Sequence, residues 1–287
     1  MVKRLTSVTV IFLAVSLCAM EWPMPEAELI RNFGLNDRGR PSLGMIFGGE
    51  GDILAADTGE IIFSRSGDND ASRLPSPLGA WTAIDHGDGL VSIYGRYRDD
   101  DKSKAETGAA QGSLIAAAGS SGWSRKDGFY FMLYDRKERR WVNASMVITP
   151  FPDTVPPQIP GIQLLSSNGR LIESGQFRGI SQGKYTIMVN AFDTLVDQRG
   201  LQLAPHRIVA SVNGVEVGAL NFETISARDG VLMVNRNGLV PALQVYAPFP
   251  AYEVGEVQLS RGQVILEIIV QDITGNSRSA VYRMTVD

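Results

Sequence analysis

Short apolar or alternating runs, each closed within a few residues by Gly, Asp or Asn, constrain this chain more than any other feature. Ile53-Leu54-Ala55-Ala56, Glu60-Ile61-Ile62-Phe63-Ser64, Trp81-Thr82-Ala83-Ile84 and Leu90-Val91-Ser92-Ile93-Tyr94 are such runs. Asp57-Thr58-Gly59 and His86-Gly87-Asp88-Gly89 punctuate them. Runs this short cannot complete an amphipathic helix, and strands spaced by turn residues form a sandwich or barrel. Ser113-Leu114-Ile115-Ala116-Ala117 and Gly128-Phe129-Tyr130-Phe131-Met132-Leu133-Tyr134 continue the pattern. The fold class is therefore all-β. One early helix is expected over Pro25 to Phe33, with Glu26 and Glu28 in its first turn and Gly34 just past its end.

A boundary follows. Pro150, Pro152, Pro156, Pro157 and Pro160 leave few backbone donors, so residues 150–160 read as a stiff linker. It divides residues 21–149 from residues 161–287. In the second part, Ser167-Asn168-Gly169, Val212-Asn213-Gly214, Arg236-Asn237-Gly238 and Thr274-Gly275-Asn276 mark turns. Val264 to Val270 and Ala280 to Val286 read as a terminal hairpin around the last of them. Short strands with no cysteine or metal motif predict an immunoglobulin-like β-sandwich there. The full length of 287 residues suits two domains at roughly 100–200 residues each.

Composition bears on export and partners. Hydrophobic residues make up 44% and charged residues 20%, an ordinary globular balance. The formal charge of −4 offers no basic field to nucleic acid or an acidic membrane surface. Lys3 and Arg4 precede an apolar run from Val8 to Leu17. That run is too short to span a bilayer, which takes roughly 20 residues, but it has the size of a signal-peptide core. Residues 1–20 are read as a signal peptide, with cleavage after Ser16 or after Ala19 both open. The mature chain then has no transmembrane span and an expected location in the periplasm or cell envelope. Losing two cations leaves 27 − 2 = 25 against 31 anions, or −6. The single cysteine, Cys18, falls in this segment, so the mature part has no disulfide. Val15-Ser16-Leu17-Cys18 weakly resembles a lipobox, with Leu17 where a small residue is usual; a lipoprotein anchored through Cys18 is the alternative.

Isolated candidates carry little chemistry. His86 sits in a Gly-flanked turn, and His206, after Pro205, reads as an exposed strand-entry residue. Gly48-Gly49-Glu50-Gly51 lacks the Lys-Ser/Thr ending of a phosphate loop and reads as a tight connection. Asp68-Asn69-Asp70 and Asp99-Asp100-Asp101 lack the spacing and distal glutamate of a calcium loop. Neither histidine has an evident nucleophile partner.

Three longer motifs carry a resemblance. Gly51 to Ile61 matches a hairpin of the form G-T-P-V-x-A-x-x-x-G-x-V, and Ile84 to Tyr94 is close to I-x-H-G-x-G-x-x-T-x-Y. Gly112 to Gly122 resembles G-x-x-I-G-x-V-G-S-T-G. In order and spacing, residues from about 40 to 148 resemble the lysostaphin/LytM-type zinc endopeptidases, which cleave peptidoglycan. The resemblance implies a LytM-like β-sandwich or barrel-like domain.

It also implies where function would reside. The family's H-x-x-x-D zinc ligands fall on Ser42 and Ile46, or on Pro41 and Met45 if the register slides by one residue. The histidine of its Y-x-H motif falls on Arg96, and its H-x-H pair falls on Phe129 and Phe131. A catalytic zinc needs three N, O or S ligands and an open position for water. These residues supply no such set, so no catalytic residue, metal or cofactor is expected. Degenerate relatives of this type activate cell-wall hydrolases, which makes a hydrolase or peptidoglycan itself the expected partner. Arg96, Trp123 and Tyr130 are the candidate binding residues, and Phe129 and Phe131 could add apolar contact or fill a core. Two other readings stay open: an active metalloendopeptidase with ligands drawn from elsewhere, and a passive structural envelope protein.

Overall fold

The computed structural model describes residues 19–65, 75–98, 107–124, 126–198 and 200–287. Most of the expected signal segment, Cys18, Asp68-Asn69-Asp70 and Asp99-Asp100-Asp101 lie outside them. The described chain is almost entirely β, with three short 3-10 turns, as the strand and turn pattern requires.

The Gly128–Asp135 strand lies at the centre of the first half. Leu90–Tyr97 pairs along one side of it, and Met45–Gly48 and Arg140–Val142 pair along the other. Beyond Leu90–Tyr97 the sheet continues through Ala80–Asp85 to Gly59–Arg65. Arg140–Val142 carries it the other way by pairing with Val215–Arg228, with Trp141 opposite Ile225. From there it runs through Arg207–Val212, Gly262–Gln271 and Ser277–Val286. Among the described residues this makes one sheet of fifteen strands that passes through both halves of the chain. A second sheet of four strands, ordered Leu171–Glu173, Gln158–Ser166, Gly183–Phe192 and Ala251–Leu259, packs against its later part.

Turn chemistry sets the registers. Asn213 and Gly214, at φ of 49° and 80°, form the two-residue connection between Arg207–Val212 and Val215–Arg228. Both central residues of this turn type need positive φ, which Asn tolerates and Gly adopts freely. The expected terminal hairpin is present, with Ile268 opposite Ala280.

The expected helix over Pro25 to Phe33 is not formed; Glu28–Arg31 is a strand, with Leu29 opposite Phe47. A helix of about nine residues is marginal alone in water. Here the edge of the Met45–Gly48 strand offers the same backbone a ladder while burying Leu29. The proline-rich segment is also more ordered than its composition suggests. Gln158–Ser166 begins inside it, and Pro160 falls at the register irregularity between Gln158 and Gly161, where a missing donor costs least. Upstream, Trp22 Nε1 donates to the Thr149 carbonyl at 2.8 Å, and the Trp22 and Phe151 rings stack at 4.7 Å. Downstream, Asn276 Nδ2 donates to the Asp153 carbonyl and Arg278 Nε to that of Pro157.

The two sheets approach closely at Gly218 and Gly255. A Cβ on Gly255 would lie 2.6 Å from the Val217 carbonyl oxygen, and one on Gly218 would meet that of Val254. The obstacle in both cases is backbone, which cannot swing aside as a side chain does. We expect Gly255→Ala to destabilise the protein by about 1–3 kcal/mol through overpacking. Urea unfolding of both proteins measures this; equal midpoints would mean that the sheets separate freely.

Candidate functional site: an arginine-lined groove beside an aromatic core

The period of two along Gly128–Asp135 divides the residues that the family resemblance would bring together. Phe129, Phe131 and Leu133 point inward, with Phe129 1% and Phe131 0% exposed. Tyr130 and Met132 point to the other face and are half-buried. Inside, Phe47 stacks on Phe129 at 4.9 Å, Trp22 meets Phe131 edge-on at 6.3 Å, and the Tyr94 ring lies 5.4 Å from Phe131. The inward phenylalanines are thus core, not groove.

Zinc does not fit these positions. Phe129 and Phe131 have no donor atoms. Ser42 is buried and its Oγ donates to the Gly44 carbonyl at 2.8 Å. Ile46 is apolar, and sliding to Pro41 and Met45 places a core methionine where a carboxylate is needed. Imidazoles at 129 and 131 would sit among aromatic rings, where each unsatisfied polar group costs about 1–3 kcal/mol. The packing and the ligand set exclude each other.

On the outer face, Ile46, Arg96 and Trp123 line an open groove of about 770 Å³. Arg31, Asp37, Arg38 and Arg40 complete it, so four guanidinium groups face the single carboxylate of Asp37. Asp37 is already held by Arg31 at 2.6 Å. Arg38, at φ 55°, and Gly39, at φ 83°, form the turn of the small Asn36–Asp37/Arg40–Pro41 hairpin that carries these charges. Asn36 Nδ2 anchors that hairpin to the Ala247 carbonyl, and Tyr246 Oη donates to the Gly34 carbonyl at 2.7 Å. Trp123 stands on the rim, 72% exposed.

Arg96 reaches the groove because of a bulge. Ala80 pairs with Tyr97 and Trp81 with Gly95, which leaves Arg96 without an opposite residue. Its φ is 66°, a left-handed conformation that is strained for a long side chain. The bulge turns Arg96 away from the buried face of its neighbour Tyr94 and onto Tyr130, whose ring centroid is 5.3 Å from the guanidinium carbon. Burial pulls the Arg96 pKa down, opposed by Tyr130 and reinforced by the nearby charge of Arg31. Burial pushes the Tyr130 hydroxyl up to about 12, so it remains a protonated donor. The Arg96 Nε is buried without a hydrogen-bond partner among the described residues. A half-buried cation, held beside other cations with a donor left over, suits a carboxylate or another planar anion.

The groove therefore gathers Ile46, Arg96 and Trp123 of the expected residues, with Tyr130 stacked under Arg96, while Ser42, Phe129 and Phe131 belong to the interior. Arg31, Arg38 and Arg40 were not anticipated from the sequence. For Arg38 and Arg40 the turn signal Asp37-Arg38-Gly39-Arg40 is a local hint; Arg31 lies on the Glu28–Arg31 strand, with no such signal. His86 is structural: its Nδ1 meets the Thr58 carbonyl at 3.0 Å and its Nε2 the Ser92 hydroxyl at 2.6 Å. His206 is half-buried rather than exposed, because the Arg207–Val212 strand that it precedes is central in the sheet. Burial lowers its pKa, against the pull of Glu223.

Among solved structures, this chain is similar to the catalytic domain of the prophage-encoded M23 protein EnpA from Enterococcus faecalis. That match has 20% identity, covers 38% of this chain and 82% of the other, and has a TM-score of 0.31. The SpoIIQ–SpoIIIAH pore-forming complex matches at 15% identity over 45% of this chain and 92% of the other, with a TM-score of 0.35. Lysostaphin from Staphylococcus simulans matches at 12% identity over 75% and 85%, with a TM-score of 0.36. A family model without a description matches residues 156–287. An uncharacterized protein of Treponema pallidum (strain Nichols) is 30% identical over 128 residues, which span 40% of this chain and 86% of the relative. This chain belongs to the same family as that Treponema pallidum protein.

Proposed function

We propose that this is an exported, non-catalytic cell-envelope protein that binds peptidoglycan or regulates a peptidoglycan hydrolase. One observation carries the reading. Where the motifs resemble those of LytM-type peptidases, the expected ligand positions are filled by the buried Phe129 and Phe131, while Arg96 is turned into a cationic groove. Stem peptides of the cell wall present carboxylates and carbonyls, which is the chemistry that the groove's guanidinium groups complement. Trp123 on the rim supplies an exposed aromatic face for an aliphatic or sugar surface. Lys3, Arg4 and the Val8–Leu17 run support export. No helix among the described residues is long and apolar enough to cross a membrane. The two facing sheets of the later half support an immunoglobulin-like reading of residues 161–287.

The purified protein should carry no stoichiometric zinc and release no muropeptides from sacculi. About one zinc per chain, together with chelator-sensitive release, would establish an active peptidase instead.

Two substitutions separate binding from folding at the groove. Arg96→Gly removes the cation and relieves the positive-φ strain, so its unfolding midpoint should equal or exceed that of the parent. Arg96→Ala keeps the strain and loses the contact with Tyr130, so it should be the less stable of the two. Both should weaken muropeptide or hydrolase capture by about 1–3 kcal/mol, the scale of a charged hydrogen bond. Unchanged capture in both variants would remove the groove from function.

A further inference from the structure

A second cluster of chemistry lies away from the groove. Asp153, Asp193 and Asp272 each present a carboxylate oxygen within 4.8 Å of the other two. They come from three different places: the proline-rich crossing, the residue after Gly183–Phe192, and the residue after Gly262–Gln271. The three carboxylates line a small cavity of about 40 Å³ whose described walls include no lysine or arginine. Asp193 is only 6% exposed, and its Oδ1 has no hydrogen-bond partner among the described residues. The Oδ2 of Asp153 is likewise buried and unpartnered.

The third carboxylate behaves differently. Asp272 Oδ1 accepts from the backbone N–H groups of Thr274 and Asn276 and from the Thr274 hydroxyl. Its Oδ2 accepts from Asn276 Nδ2 at 2.7 Å. Those four bonds fix its orientation. A carboxylate fixed in this way, beside two others that each bury one unpartnered oxygen, is costly unless a positive charge lies between them or one carboxyl takes up a proton. Burial, then the charge of Asp272, push the Asp193 carboxyl up to about 8; Asp153 adds to the shift and the Thr194 N–H opposes it. The charge of Asp272 also acts on His206, whose own pKa burial lowers.

We propose that Asp153, Asp193 and Asp272 bind a calcium ion that ties the proline-rich crossing to the ends of the two strands. The donors are all oxygen, the set chosen by hard divalent cations. The three oxygens all lie within 4.8 Å of one another, close enough to share one ion. Calcium accepts roughly six to eight oxygens in flexible geometry, which suits ligands drawn from three separate segments better than the strict octahedron of magnesium does. Water and a carbonyl oxygen would complete the shell. The bond would fasten Asp153, whose carbonyl is already held by Asn276, to both strand ends.

The test is calorimetric titration of the chelator-treated full-length protein with calcium chloride, and separately with magnesium chloride, alongside thermal unfolding. Calcium should bind at one ion per chain and raise the unfolding temperature, with magnesium the weaker ligand. Asp193→Asn should abolish both effects. In chelator, the same variant should unfold at or above the temperature of the parent, because it removes a carboxyl buried beside those of Asp153 and Asp272; a purely structural aspartate would instead leave it less stable. Asp153→Asn, at a half-buried position, repeats the test if Asp193→Asn fails to fold. No calcium binding at millimolar concentration, or binding undiminished in both variants, would overturn the proposal.

Discussion

The two-residue alternation of the Gly128–Asp135 strand is the constraint on which the rest of the molecule depends. It sits between Leu90–Tyr97 on one side and Met45–Gly48 and Arg140–Val142 on the other, so its pleat decides what both faces hold. A slip of one residue would exchange Phe129, Phe131 and Leu133 with Tyr130 and Met132, and would bury a phenol where a phenyl ring now packs. The aromatic cluster around Phe47, Trp22 and Phe151 fixes the register. Losing a ring such as Phe131 from that cluster would cost about 3–5 kcal/mol, a large part of a typical domain's stability.

That cluster also explains why the groove holds a cation rather than a metal site. With inward positions committed to aromatic packing, polar chemistry is confined to the outer face of the strand. There Tyr130 forms the floor against which Arg96 lies. Arg96 would follow Tyr94 onto the buried face if the strand were regular; the bulge prevents this at the expense of a strained backbone. Strain kept at one residue, beside a cluster of like charges, marks a position held for something other than stability.

The crossing between the halves has a comparable logic. The proline-rich segment can donate few hydrogen bonds, so it is held mainly through its carbonyls and side chains: Thr149 by Trp22, Asp153 by Asn276, Pro157 by Arg278. The Arg140–Val142 strand meanwhile joins the two halves through a continuous ladder. The acidic triad lies where crossing and strand ends meet, and there Asp153 and Asp193 each bury an unpartnered carboxylate oxygen.

Much of this was readable from local chemistry. Strand runs, Asn-Gly turns and the terminal hairpin depend on side-chain period and on residues that tolerate positive φ, which are properties of neighbours in the chain. The unsuitability of Ser42, Ile46, Phe129 and Phe131 as zinc ligands is likewise a matter of residue type. What lay beyond the sequence depends on residues far apart in it. Pro25 to Phe33 became a strand because a distant edge was available to pair with Glu28–Arg31. Arg96 departed from its alternation because the pairing with Ala80 and Trp81 skips a residue. Arg38 and Arg40 joined it because a small hairpin is fastened to Ala247 across the fold, and Arg31 because its strand pairs with Ile46. Asp153, Asp193 and Asp272 are separated by 40 and 79 positions, and only the convergence of two strand ends and a crossing brings their carboxylates within 4.8 Å. Local propensity determines which elements a chain can form; which side chains then share a cavity is decided by tertiary pairing, where burial and backbone hydrogen bonding outweigh it.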